Sequence, residues 1–135
     1  MERVLGKYSA QTYALLRIVG GLLFMQHGAQ KILGAFGGFG GQAGQHAQYF
    51  SRIGLAGFIE LIGGILIALG VFAGFVAFIT SGEMASAYFL AHFPRGLVPV
   101  QNGGELAILY CFLFLFIASK GAGIWSIDAM RKKGS

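Results

Sequence analysis

Glu60, Glu83 and Arg17 each stand inside an apolar run of the chain. A charge in hydrocarbon costs roughly 2.5 to over 10 kcal/mol, so such side chains turn to a protein interior, find partners, and mark binding or proton handling. His27, Lys31, His92, Asn102 and Glu105 lie near the ends of the same runs. Arg keeps its proton under almost any burial, whereas a buried carboxyl can take one up. The expected chemistry is therefore a charge tie on the axis of a helical bundle. In it Arg17 is held by Glu83 or Glu60, and the other acid is free to bind or move a proton. Plainer readings stand beside this one. Asn102-x-x-Glu105 also reads as a helix N-cap with an acid three residues on. His27 and His92 also suit a membrane boundary.

Other chemistries find no support. Cys111 is the single cysteine and sits in an apolar run, as a small hydrophobe does. Two histidines without a repeated pair do not make a haem site. Gly38-Phe39-Gly40-Gly41-Gln42-Ala43 matches G-x-G-x-x-A, but it follows no strand and opens no βαβ unit. Walker, H-E-x-x-H and G-x-S-x-G patterns are absent. No metal, haem or flavin is expected, and the purified protein should be colourless.

Composition says where these residues must sit. Of 135 residues, 56% are hydrophobic and 11% are charged. A soluble domain carries about 25% charged residues. Mean hydropathy is +0.69. The outer surface is expected to face a lipid bilayer rather than water. The net charge of +5 sits mostly at the chain ends. It fits membrane orientation better than nucleic acid, for which no basic, aromatic-rich face is visible. The N-terminal run is interrupted by Arg17 and followed by no A-x-A site, so it reads as a retained helix rather than a cleaved signal.

Four apolar runs, at about 10–33, 54–71, 72–93 and 104–119, are expected as transmembrane helices. Together they form one all-α, integral-membrane four-helix bundle over residues 1–135. The connection between the first two runs is Gly-rich, that between the second and third is a tight hairpin, and the next holds Pro94 and Pro99. Six Lys or Arg flank the ends of the chain, against Lys31, Arg52 and Arg95 in the longer loops. That split places both termini in the cytoplasm. At about 1.5 Å per residue, Arg17 lies roughly 15 Å below His27, Glu83 about 15 Å below Phe93, and Glu60 about 9 Å below Gly54. Arg17, His27, Lys31, Glu60, Glu83, His92, Asn102 and Glu105 should then line one polar cavity open to the non-cytoplasmic side.

Several motifs resemble a known family. Phe24-Met25-Gln26-His27-Gly28-Ala29-Gln30-Lys31-Ile32-Leu33-Gly34 looks like the F-x-x-H-G-x-x-K end of the first helix in DoxX family proteins. Gly57-Phe58-Ile59-Glu60-Leu61-Ile62-Gly63-Gly64 resembles the second helix. Met84 to Phe89 with His92, and Asn102-Gly103-Gly104-Glu105-Leu106-Ala107, resemble a bacterial branch. Gly121-Ala122-Gly123-Ile124-Trp125-Ser126-Ile127-Asp128 is similar to the closing G-P-G-x-W-S-L-D, with Ala122 where the family often has Pro. The resemblance implies a four-helix protein of the bacterial inner membrane, often labelled an oxidoreductase and similar to a thiosulfate:quinone oxidoreductase subunit. With no redox cofactor motif of its own, the chain fits a membrane subunit or partner of a redox system better than a complete enzyme. A redox protein partner, a homo-oligomer and a quinone near the outer polar cluster are the implied associations. A small transporter or proton-conducting bundle, and a scaffold without catalysis, remain the alternatives.

Overall fold

The computed structural model describes residues 1–134, and these form helices joined by turns and loops, with no strand among them. Four long helices carry the architecture: α1 (Ser9–Leu33), α2 (Arg52–Leu69), α3 (Ala73–Ala87) and α4 (Glu105–Lys120). A short α5 (Ile127–Lys133) closes the chain. The boundaries follow local chemistry. α1 and α2 stop at Gly34 and Gly70, both left-handed, which glycine adopts without a Cβ penalty. The Ser51 hydroxyl caps α2 by accepting from Gly54 N. α3 runs on through a π-helical turn, Tyr88–His92, and a 3-10 turn, Phe93–Arg95. Pro94 has no N–H to continue the helical ladder, so the winding loosens just before it.

Glycines set how closely the helices approach. A Cβ at Gly21 would stand 2.6 Å from Ala68 N, and one at Gly64 would stand 2.5 Å from Met25 N. One at Gly28 would collide with the backbone of Leu61. The α1 and α2 backbones are thus in direct contact, as close small-residue packing allows. α3 packs on α4, where the Ser81 hydroxyl donates to the Cys111 carbonyl at 2.8 Å. α2 meets α3 where Gly63 faces the Thr80 methyl. Phe24, Ile67, Phe114 and Ile117 fill the centre.

Polarity is distributed inside out relative to a water-soluble protein. Phe75, Phe78, Leu109 and Phe112 are 72%, 62%, 67% and 65% exposed, while Arg17, Glu60 and Asn102 are 0%, 1% and 2% exposed. An apolar outer surface of this extent calls for lipid or a partner. Among the described residues, two helical stretches are long and apolar enough to cross a membrane, Arg52–Leu69 and Ala73–Arg95. α1 has the length, with 25 residues, but Arg17, His27 and Lys31 dilute its hydropathy. α4 has 16 residues, below the ~17 of a short span. The Gly-rich connection folds back on the end of α1, where Ala47 N donates to the Lys31 carbonyl at 2.7 Å and Gly44 N to Gly34 O at 3.1 Å.

Candidate functional site

The centre of the site is an ion pair. Lys31 Nζ of α1 stands 2.5 Å from Glu60 Oε1 of α2. The Glu60 side chain is 2% exposed and that of Lys31 25%. Packing explains why they meet. A Cβ at Gly57, one turn before Glu60, would lie 2.9 Å from Lys31 Cβ, so only glycine lets the lysine stem lie across α2 and reach the acid. Glu60 Oε2 is buried and accepts no hydrogen bond among the described residues, and the same holds for Glu83 Oε2 of α3. Glu83 lies within electrostatic reach of both Glu60 and Lys31. The charge of Glu60 also reaches His27 and Tyr110. The His27 and Tyr110 rings meet edge to face with centroids 6.1 Å apart. All four long helices therefore contribute an ionisable or polar group at one level.

Other expected members lie apart. Asn102 and His92 form a second polar node that ties the connection before α4. Asn102 Nδ2 donates to Gly96 O at 2.9 Å and to Tyr88 Oη at 3.4 Å, its Oδ1 accepts from Gly104 N at 2.8 Å, and His92 Nδ1 lies 3.2 Å from Asn102 O. Gly104 caps α4 and Glu105 is its first residue, so the expected capping box is not formed. Asn102 instead closes a short turn of helix, Pro99–Asn102, and Glu105 is exposed.

Arg17 corrects the expected charge tie. Its Nη1 donates to the carbonyls of Ile67 and Ala68 at 2.7 and 2.6 Å. Its Nη2 donates to those of Ile124 and Trp125 at 3.3 and 2.7 Å. No hydrogen bond joins it to Glu60 or Glu83. Register is the reason. The contacts of Gly21 with Ala68 and of Gly28 with Leu61 put Arg17 level with the hairpin after α2, and Glu60 level with Ala29. Arg17 and Glu60 are thereby about 18 Å apart along the axis. Ile67 and Ala68 lie in the last turn of α2, whose carbonyls carry its negative dipole end, and Ile124 and Trp125 lie in the loop ahead of α5, so these four carbonyls receive the guanidinium in place of a carboxylate.

Four residues of the arrangement carry no expectation from the sequence. Tyr110 sits in an apolar run, though its spacing from Ala107 and Phe114 marks the same buried face. Tyr88 is the partner of Asn102. Ser126 caps α5 by accepting from Ala129 N, and Asp128 accepts from Phe72 N and Ala73 N at 3.0 and 3.1 Å, capping α3 from a distant part of the chain. The Ser-x-Asp pattern ahead of a basic stretch was a legible N-cap signal for α5, but its second target was not.

The model of the DoxX family matches residues 12–93, which hold Lys31, Glu60, Glu83 and His27. The chain belongs to the DoxX family. A relative from Haemophilus influenzae, named as an uncharacterized protein, is 42% identical over 137 residues, covering 92% of this chain and 93% of its own. No solved structure matches the chain.

Proposed function

We propose that this DoxX protein is a four-helix bundle crossing a bacterial inner membrane with both termini in the cytoplasm, and that it serves as a membrane subunit or partner of a redox system. The observation that carries this reading is the buried Lys31–Glu60 pair beside Glu83, inside a shell of exposed Leu, Ile and Phe. Such an arrangement is stable in lipid and wasteful in water. A groove of about 620 Å³ between α1 and α4, lined by Leu16, Val19, Leu109 and Tyr110, opens on the apolar surface. Its Tyr110 end touches the polar cluster, as an electron carrier dissolved in the bilayer requires. A quinone is the chemical class that fits a flat apolar body with oxygen tips.

The test is reconstitution in quinone-containing vesicles with the soluble proteins that co-purify from the native membrane. Quinone reduction that falls at least tenfold in Lys31→Met supports the reading. Reduction equal in the presence and absence of the DoxX protein overturns it and leaves a scaffold.

A further inference from the structure

The polar cluster does not balance in charge. It holds two carboxyls and one ammonium, with the Glu60 side chain buried and Lys31 and Glu83 partly exposed. Lys31 engages Glu60 Oε1, while Glu60 Oε2 and Glu83 Oε2 are both buried with no hydrogen-bond partner among the described residues. An uncompensated buried carboxylate is unstable in such surroundings. The groups facing it are His27 and Lys31 from α1, Glu60 from α2, Glu83 from α3 and Tyr110 from α4. Lys31 is the one lysine among them, and it is bonded to Glu60.

We infer that the Glu60–Glu83 pair binds one exchangeable proton, received from the side of the Gly-rich connection. A proton converts an orphaned acceptor into a donor and removes the excess charge in one step. Among the described residues no group of three or more His, Cys, Asp or Glu gathers to hold a metal ion. Access is one-sided. Lys31, at 25%, is partly exposed along with His27 and Glu83, and its carbonyl is tied to Ala47 of the connection. Toward Arg17 the interior is closed by Phe24, Ile67, Phe114 and Ile117, each 1% exposed or less. The site therefore stores a proton and does not conduct one. The inference rests on the membrane-interior placement proposed above, and is independent of any redox role.

Infrared spectroscopy of the full chain in lipid nanodiscs tests it. At neutral pH the wild type should show a protonated-carboxyl C=O band that shifts in D₂O. The band should vanish in Glu83→Gln and in Glu60→Gln, because the remaining carboxylate pairs with Lys31. It should roughly double in Lys31→Met, where both acids lose their cation. If Glu60→Gln fails to fold, the more exposed Glu83→Gln carries the same comparison. No band in folded wild type overturns the inference, as does a band indifferent to Glu83→Gln. A band that falls on replacing choline by sodium means that a metal cation takes the site, and also overturns it. Vesicles holding the protein should stay proton-tight, and dissipation of an imposed pH gradient would sink the storage form. A wild type that shows the band and reduces no quinone keeps this inference and loses the redox reading.

Discussion

Arg17 and Lys31 are both cations of α1, and their partners assign them different work. Lys31 faces a carboxylate, so removing it strands Glu60, and removing both groups should cost less than the sum of the two changes. A double-mutant cycle of Lys31→Met and Glu60→Gln on thermal stability in detergent should give a coupling of about 0.5–3 kcal/mol. Arg17 faces carbonyls, so Arg17→Met should destabilise by at least about 2 kcal/mol through unmet acceptors. Glu83→Gln should not rescue it, the pair adding to within about 0.5 kcal/mol. Coupling between Arg17 and Glu83 in the same cycle would contradict the register described above.

At the level of elements, glycine placement is what brings α1 and α2 together. Gly64→Ala puts a methyl against the backbone of Met25 and should cost about 1–3 kcal/mol or more. Gly82 sits in exposed α3 with nothing within 4 Å of a Cβ. Gly82→Ala should therefore stabilise by about 0.5–1 kcal/mol through the helix alone. Equal effects at both sites in thermal unfolding would show that close helix contact plays no part. The hairpin before α3 is held in another way. Phe72 takes a left-handed φ of 47°, which L-residues resist, and Asp128 binds its N–H and that of Ala73. Asp128→Ala should lower stability by about 1 kcal/mol, as loss of an N-cap does. Unchanged thermal stability in Asp128→Ala would separate the closing segment from the hairpin.

For the whole molecule, the apolar surface and the basic ends predict a topology. In a Cys111→Ala background, Ser9→Cys and Gln45→Cys should react with an impermeant thiol reagent from opposite sides of the membrane. Labelling of both from one side would rule out a crossing between them. The polar cluster then lies in the half nearer Gln45, and Arg17 in the half nearer Ser9. The two polar features thus belong to opposite ends of one bundle, the first open beside Lys31 and the second sealed by Ile124 to Ser126.

Helix positions were legible in the residues themselves. Runs expected at 10–33, 54–71, 72–93 and 104–119 correspond to α1, α2, α3 with its π turn, and α4, because apolar run length and terminal glycines are local properties. Glu60 and Glu83 stood out in the sequence too, since a charge in an apolar run needs a reason wherever it lies. Which charges meet was not. Counting residues inward from assumed boundaries matched Arg17 with Glu83, whereas backbone contact at Gly21, Gly28 and Gly64 slides α1 so that Lys31 meets Glu60 and Arg17 meets carbonyls. A carbonyl carries no sequence signature, because every residue has one, so the partners of Arg17 could emerge only from the tertiary structure. The capping of α3 by Asp128, 55 residues downstream of Ala73, arose in the same way. Composition and periodicity act along the chain, but register between helices is decided by which surfaces can approach, and that depends on all of them at once.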